Sequence, residues 1–156
     1  MQSITPFLWF DGKAEEAMNF YVSIFKNSKV GRVTRYGEGA PAPKGTVIAA
    51  TFTLDGQEFH ALNGGPKFAF TPAISFFVNC ETQKEVDELW DKLSAGGAKD
   101  RCGWLRDKYG VSWQIIPSIL GKLLGDKDPK RAKRVMDAML QMDKIDIKRL
   151  EQAAAA

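Results

Sequence analysis

The fold is decided by two helical stretches, AEEAMNFYVSIF at residues 14–25 and EVDELWDKL at residues 85–93. In each stretch, apolar side chains recur at helical spacing and form one stripe, which is typical of a helix packed against a single core. The two stripes superpose when the first is shifted by 72 residues, so that Tyr21 falls on Leu93. This self-similarity predicts an internal repeat of one supersecondary unit.

Strand-like segments surround the first helix. Before it lies an aromatic and branched segment at residues 4–10; after it come segments at 30–36, 46–54 and 57–62. The Asp55-Gly56 pair between the last two predicts a hairpin. A unit of this composition cannot cover both faces of its sheet alone, so we expect it to need a second copy.

The second copy follows the same order. A strand is predicted at residues 73–78, and a capping box of Thr82 and Glu85 begins the helix. Strands are predicted at residues 104–108 and 111–116, with little room for a further strand between the helix and Cys102. The predicted fold class is therefore α+β, with a βαβββ module at residues 1–66 and a shortened βαββ(β) module at residues 67–117.

Residues 118–156 form a predicted helical tail, and the whole chain is expected to be one globular domain. Asp128-Pro129 is a helix start with proline at the first helical position, and a short last helix is predicted from about Asp146. The methionines of the tail recur at helical spacing, which indicates packing on its own domain or across a dimer interface. The alternative for these methionines is an adaptable binding surface.

Composition excludes several functions. The 156 residues carry 22 basic and 19 acidic side chains, a formal charge of +3, and no stretch is basic enough for a nucleic-acid-binding face. No apolar run approaches the roughly 18 residues that a membrane span needs. The start of the sequence shows no signal peptide, so we expect a cytoplasmic protein in which Cys80 and Cys102 stay reduced. Neither cysteine has a base beside it in the sequence, so burial is the expected role of both.

Several blocks of sequence resemble a known superfamily: PFLWF at residues 6–10, EA at 16–17 with FY at 20–21, Phe59 with ALNGGP at 61–66, CGWL at 102–105, GVSWQ at 110–114, and DAML at 137–140 with KIDI at 144–147. They are similar to the vicinal-oxygen-chelate superfamily, which includes glyoxalase I, bleomycin-resistance proteins and extradiol dioxygenases. Within it, the chain resembles the PhnB-like group that carries the name 3-demethylubiquinone-9 3-methyltransferase domain.

The resemblance implies two modules whose sheets curl into open troughs, a small-molecule ligand, and a homodimer. In metal-dependent members, four inward side chains hold a divalent metal that acts as a Lewis acid. Those positions fall here on Thr5, His60, Ala73 and Gln114. Only His60 is a good ligand and Gln114 is a neutral one, which falls short of the usual three His or carboxylate ligands. The resemblance therefore implies a degenerate metal site and no required cofactor, with a divalent metal kept as the alternative.

Strand alternation extends the candidate pocket. Its predicted lining is mostly aromatic, with a few hydroxyl and amide groups: Phe7, Trp9, His60, Leu62, Ser75, Phe77, Ser112 and Gln114. Trp113 is then expected on the opposite face, under a helix. Such a wall suits a small, largely apolar ligand. The alternative is that these rings only fill the interior of a closed trough.

His60 is the sole histidine and the candidate catalytic residue, because imidazole is the side chain that changes charge near neutral pH. With no acid recognised near it in the sequence, the alternative is a hydrogen-bonded strand residue without catalytic work. Three functions stay open: a small-molecule-binding protein of the superfamily, a metal-dependent lyase, isomerase or dioxygenase using His60, and the methyltransferase of the group's name. The last is disfavoured, because Gly37-Glu38-Gly39 leads into a proline-rich loop and not into a helix.

Overall fold

The computed structural model describes residues 3–156, which divide into two compact units after Ala69. The elements of the first unit are β1 (Phe7–Phe10), α1 (Ala14–Ile24), β2 (Lys29–Arg35), β3 (Val47–Leu54) and β4 (Gln57–Asn63). Those of the second unit are β5 (Ser75–Cys80), α2 (Gln83–Ser94), β6 (Ala98–Lys99), β7 (Trp104–Arg106), β8 (Ser112–Pro117), α3 (Ser118–Leu124), α4 (Pro129–Met139) and α5 (Ile147–Ala155). None of the helices among these residues has the length and apolar content that crossing a membrane requires.

The two sheets repeat one topology, and this confirms the predicted α+β fold. The first sheet has the order β1-β4-β3-β2 and the second the order β5-β8-β7-β6. In each, the first strand is parallel to the last strand of its module, while the other pairs are antiparallel. In each module the helix, α1 or α2, follows the first strand. It forms part of the long connection that parallel pairing of the first and last strands requires. The shortened copy keeps its second strand, the counterpart of β2, only as the two-residue β6.

One face of the first sheet is packed under α1. Phe52 and Phe59, neighbours on β3 and β4, stack with ring centroids 5.4 Å apart, and Tyr21 of α1 stacks on Phe52 at 6.2 Å. All three side chains are buried. Because successive side chains of a strand point to opposite faces, this packing fixes which residues of β1, β3 and β4 face away from the helix.

Asn63 connects α1 to the sheet. Its Oδ1 accepts a hydrogen bond of 2.9 Å from the backbone amide of Ala14, and its Nδ2 donates to the carbonyl of Val47 at 3.2 Å. Lys13, at the N-cap of α1, makes no side-chain capping bond. The end of β4 therefore supplies the acceptor that the first turn of the helix lacks.

The second sheet is covered by α2 in the same way. Trp113 is buried on this face, as alternation predicts, with its ring 5.3 Å from that of Phe76. One of the two hydrogen bonds of the predicted capping box is confirmed, because the Thr82 side chain accepts from the amide of Glu85. Glu85 reaches back to the amide of Glu81, one residue before the expected one, at 3.5 Å.

The C-terminal helices pack on the end of β8. Their apolar cluster is built around Ile116 and contains the buried side chains of Leu120, Val135, Met142, Ile145 and Leu150. Gln83 of α2 holds the segment between α4 and α5 by donating to the carbonyl of Ile145 and accepting from the amide of Ile147. The tail therefore belongs to the second unit, and Ile116 packs against it.

Two strand starts that bear on the predicted site, and the number of helices in the tail, differ from the sequence prediction. β1 begins at Phe7 and not at residue 4, and β5 begins at Ser75 and not at residue 73. Thr5 and Ala73 consequently lie outside the strands. The tail has three helices where the sequence predicts two, because α3 follows β8 directly and its N-cap, Pro117, offers no capping side chain to recognise.

Candidate functional site

The face of the first sheet opposite α1, here called the first open face, carries four of the predicted pocket residues. Phe7 lies beside His60 in the parallel β1–β4 pair, and Trp9 lies beside Leu62. Phe7 is 58% exposed, while the other three are half-buried. On β3 the neighbour of His60 is Thr51. The arrangement places one imidazole between an aromatic ring and a hydroxyl-bearing strand.

His60 has a partner that the sequence reading missed. Its Nε2 is 3.0 Å from Oε1 of Glu58, two residues earlier on the same face of β4. The ring of Phe7 lies 5.5 Å from the imidazole, at an interplanar angle of 43°. The signal for Glu58 was available, because residues two apart in a strand share a face. The statement that no acid lies near His60 is therefore wrong.

Trp9 is held rigidly on the first open face. Its Nε1 donates a hydrogen bond of 2.9 Å to the carbonyl of Gly65, and Phe68 packs edge-on with centroids 4.9 Å apart. A Cβ placed on Gly64 would lie 2.3 Å from Trp9 Cε2. Gly64 therefore leaves the space that the indole ring fills, and the ring forms a fixed wall.

The corresponding face of the second sheet, the second open face, carries the other four predicted residues. Phe77 neighbours Gln114, and Ser75 neighbours Ser112, in the parallel β5–β8 pair. Nε2 of Gln114 donates a hydrogen bond of 2.9 Å to Oγ of Ser75. Phe77 is 55% exposed, whereas Ser112 is buried. Trp104 of β7 lies on the other side of Gln114.

Ser112 adds an unusual polar atom to this face. Its Oγ is buried and, among the described residues, finds no hydrogen-bond partner. Because Ser75 accepts from Gln114, its own hydroxyl proton is free to donate elsewhere. The second open face thus offers the Ser75 hydroxyl beside an exposed ring, while the first offers an imidazole–carboxylate pair.

All eight predicted pocket residues lie on the open faces, four on each sheet. The structure brings together Phe7 with His60, Trp9 with Leu62, Phe77 with Gln114, and Ser75 with both Ser112 and Gln114. That the two sets line one pocket stays a prediction. Glu58 and Thr51 are the additional polar residues that the first open face contributes.

Neither cysteine lies on these faces, and Cys102 is only half-buried, although the sequence predicts burial of both. Cys80 is buried, and burial, reinforced by the nearby charges of Glu85 and Glu81, raises the pKa of its thiol to about 11. Cys102 lies in a turn with a positive φ of 59° and donates from Sγ to the carbonyl of Met139 at 3.6 Å. Both thiols are free, and Cys102 helps to hold the tail.

Residues 2–116 match the model of the family described as 3-demethylubiquinone-9 3-methyltransferase. The chain belongs to this family. Its C-terminal helices lie beyond the matched residues, so the resemblance of the tail to the family stays a prediction. The structure of the PhnB protein from Bacillus cereus is 49% identical over 75% of this chain and 100% of its own, with a TM-score of 0.71. No curated protein matches the chain.

More distant structures share the fold alone. A protein from Pseudomonas aeruginosa is 20% identical, covers 75% of this chain and 98% of its own, and has a TM-score of 0.62. The fosfomycin resistance protein FosX from Listeria monocytogenes, in complex with Mn(II) and sulfate, is 14% identical over 72% of this chain and 89% of its own, with a TM-score of 0.50. These likenesses confirm the glyoxalase-like fold that the sequence blocks imply.

The residues of this chain do not fit the divalent metal that the fold family implies. Ala73 carries no ligand atom, and Gln114, whose Nε2 donates to Ser75, has only a neutral amide oxygen to offer. Nε2 of His60 is paired with a carboxylate, so the imidazole offers a single nitrogen, Nδ1, as a ligand. Among residues 3–156, no group of three His, Cys, Asp or Glu side chains is arranged to hold a metal ion. One imidazole and neutral oxygens are a poor donor set for a catalytic transition metal.

The family's name also implies a methyl-donor cofactor. The glycine-containing segment at residues 37–39 lies in the connection between β2 and β3, where the amide of Tyr36 donates to the carbonyl of Thr46 and the amide of Gly45 donates to Tyr36. This loop joins two strands and precedes no helix. It therefore lacks the helix N-terminus that glycine-rich cofactor loops place beside their ligand.

Proposed function

We propose that the chain is a small-molecule-binding protein whose ligand is compact, mostly apolar and ring-containing, and whose site works without a fully ligated metal. One observation carries this proposal: each module pairs an exposed phenylalanine with a polar side chain on the neighbouring strand. Phe7 lies beside His60 in the first module and Phe77 beside Gln114 in the second. Apolar walls with a few placed polar groups are the usual composition of small-molecule sites.

The polar groups support a ligand without a full positive charge. Gln114 and Ser75 are neutral, and Glu58 is directed to His60. A cationic drug, of the kind that acidic pockets attract, would find no free carboxylate among the predicted lining residues. The proposal therefore favours a neutral ring compound that accepts or donates a few hydrogen bonds.

We also propose that the protein is a cytoplasmic homodimer. Ile4 is 87% exposed before β1, and Ile74 is 74% exposed before β5. Both precede edge strands, and Met136 and Leu140 are exposed on the tail. Apolar side chains left exposed beside open sheet edges support association with a second copy. Native mass spectrometry would report a dimer, and a monomer at micromolar concentration would contradict this part.

Ligand binding is tested with protein purified without chelator or an affinity tag. Native mass spectrometry should show a small molecule retained by the protein. Protein freed of that molecule should bind an apolar fluorescent dye saturably, as measured by fluorescence. Phe7→Ala and Phe77→Ala should weaken dye binding about tenfold or more, because each ring contributes a pocket wall. Val30→Ala, which shortens an exposed apolar side chain of β2, is the matched control. Dye binding that neither Phe7→Ala nor Phe77→Ala weakens would refute the site.

The same sample decides between this proposal and the two functions suggested by fold and family name. One transition metal per chain, lost in His60→Ala, would establish the metal-dependent alternative. Isothermal titration with S-adenosylmethionine tests the methyltransferase, and binding at submillimolar concentration would support it. We expect neither result, because the donor set and the glycine loop fit neither group.

A further inference from the structure

We propose that Glu58 and His60 form a proton-accepting pair on the first open face, and that the ligand it serves is a phenol. His60 would take the phenol proton and Glu58 would act as the positioning residue behind it. The inference rests on the proposed small-molecule site and adds a ligand class and a role for Glu58. It begins from the 3.0 Å contact between Nε2 and Oε1.

The direction of that hydrogen bond decides which imidazole nitrogen is left for a ligand. An ionised carboxylate only accepts, so Nε2 must carry the proton. Neutral imidazole holds its proton on one nitrogen, which leaves a lone pair on Nδ1. Among the described residues, Nδ1 of His60 has no hydrogen-bond partner. The pair therefore presents an unused acceptor on a half-buried side chain.

Proton transfer to this acceptor balances without any further reactant. The O–H bond of the phenol breaks, its electron pair stays on oxygen as phenolate, and the proton forms a bond to Nδ1. The imidazolium that results donates through Nε2 to Glu58, which stabilises its charge by a charge-assisted hydrogen bond. Both side chains remain partly exposed, at 36% for His60 and 44% for Glu58, so solvent reduces this stabilisation.

The surroundings of His60 favour an aromatic ligand. The ring of Phe7, 5.5 Å from the imidazole, is more than half exposed and can stack on a second ring. Trp9, fixed by Gly65 and Phe68, gives a further wall on the same strand. The negative charge of Glu58 disfavours ligands that arrive as carboxylates. A neutral ring bearing an ionisable O–H satisfies all three conditions.

The test uses 4-nitrophenol with the full chain, at a pH below the pKa of the free phenol, so that ionisation on binding is read from its absorbance. We expect phenolate to appear in proportion to the bound fraction. His60→Gln should abolish this ionisation, and Glu58→Gln should lower the phenolate-to-phenol ratio of the bound probe about tenfold while binding persists. Glu38→Gln, which removes an exposed carboxylate paired with Lys44 in the same unit, should change neither.

A spectroscopic measurement distinguishes a role of Glu58 in positioning His60 from an effect of Glu58→Gln on the stability of the fold. Because the chain has one histidine, its imidazole nitrogens are assigned without ambiguity by nitrogen-15 NMR. Addition of 4-nitrophenol should shift the Nδ1 resonance toward its protonated position in the wild type, and less so in Glu58→Gln. An unchanged Nδ1 resonance in saturated protein would overturn the proposal, as would equal ionisation in the wild type and Glu58→Gln.

Two further probes separate failure of this inference from failure of the proposed function. 4-Nitroanisole has the same ring without the O–H. If it binds as tightly as 4-nitrophenol and the phenol stays protonated, the ring site stands and the proton-accepting pair is refuted. If benzylammonium binds more tightly than either, the phenol class is refuted. If none of the three binds, both the inference and the ring-binding function fail.

Discussion

The indole Nε1 of Trp113 donates a hydrogen bond of 2.9 Å to Oδ2 of Asp107, and both side chains are buried. The other carboxylate oxygen accepts from the amides of Tyr109 and Val111, at 2.8 and 3.1 Å. One carboxylate thus joins the turn before β8 to the residue next to Gln114. This contact fixes the face on which Trp113 lies and, by alternation, the face on which Gln114 lies.

Asp107→Asn should destabilise the protein by about 1–3 kcal/mol. The amide can keep the turn bonds with its oxygen, but its NH2 group then meets the indole N–H, and one donor loses its acceptor. Urea unfolding followed by circular dichroism measures the change. Trp113→Phe removes the competing indole N–H. In a double-mutant cycle, Asp107→Asn should therefore cost less stability in the Trp113→Phe background than in the wild type. Additive effects would contradict the assigned geometry.

Gly64→Ala should displace the Trp9 ring, because the new Cβ would overlap the indole. We expect a loss of about 1–3 kcal/mol in the free energy of unfolding, as for overpacked sites, together with weaker dye binding. Gly37→Ala is the matched control, since nothing lies within 4 Å of its added Cβ and its φ is not positive. Equal stabilities of the two variants, compared by thermal unfolding, would argue against the fixed wall.

Gln83→Ala should loosen the C-terminal helices. It removes both side-chain bonds to the backbone of Ile145 and Ile147 and leaves a partly buried carbonyl and amide without partners, at a cost of about 1–3 kcal/mol. Hydrogen exchange should become faster in α5, with little change in β3. Lys84→Ala, a neighbouring exposed side chain with a weak ion pair, should leave exchange in α5 unchanged.

Acid should weaken the contacts that Asp87 of α2 makes with Gln83 and with Lys144 of the tail. The side-chain hydrogen bonds from Gln83 and Lys144 hold the pKa of Asp87 below its usual value. A lowered folded-state pKa stabilises the protein above the unfolded pKa of about 3.9, and this contribution is lost as the pH falls through the folded value. Asp87→Asn should therefore cost about 1 kcal/mol or less at neutral pH, because Asp87 is partly exposed, and nothing at the acid end. A cost that persists below the folded pKa would contradict this origin. Asp91→Asn, on the exposed side of the same helix, is the control.

Cys80 should resist alkylation. With a pKa of about 11, its thiolate fraction at pH 8 is only about one in a thousand, and the side chain is buried as well. Iodoacetamide should therefore label Cys102 before Cys80 in the folded protein, as peptide mass mapping would show. In denaturant both should react at similar rates. Rapid labelling of Cys80 in the folded state would contradict its burial.

Periodicity was sufficient to predict the repeat and the two faces of each sheet. The stripe from Ala17 to Tyr21 identified α1, and the alternation through Phe7 and Trp9 identified the open face. Such patterns are local, and burial on one side of a strand enforces them. Strand ends depend on the partner strand, which is why Thr5 and Ala73 were wrongly placed within strands.

The candidate site was harder to predict, because the residue type and spacing of its contacting side chains do not distinguish them from other surface residues. Glu58 looks like any exposed strand residue until its carboxylate is placed beside His60. Asn63 resembles an ordinary turn residue, yet its side chain accepts from the amide of Ala14, far away in the chain. Hydrogen-bond partners of this kind are set by tertiary packing and not by residue type, so sequence spacing alone does not identify them.

Because β1 pairs only with β4, and β5 only with β8, the opening strand of each module has no sheet to join until the last strand of that module exists. On the ribosome, the segment around Phe7 must therefore stay unpaired until the residues around His60 have left the exit tunnel. Closure of such a distant pair costs chain entropy and slows folding relative to the β3–β4 hairpin, which forms locally. The edge strand that carries Phe7 is thus the last part of its sheet to assemble.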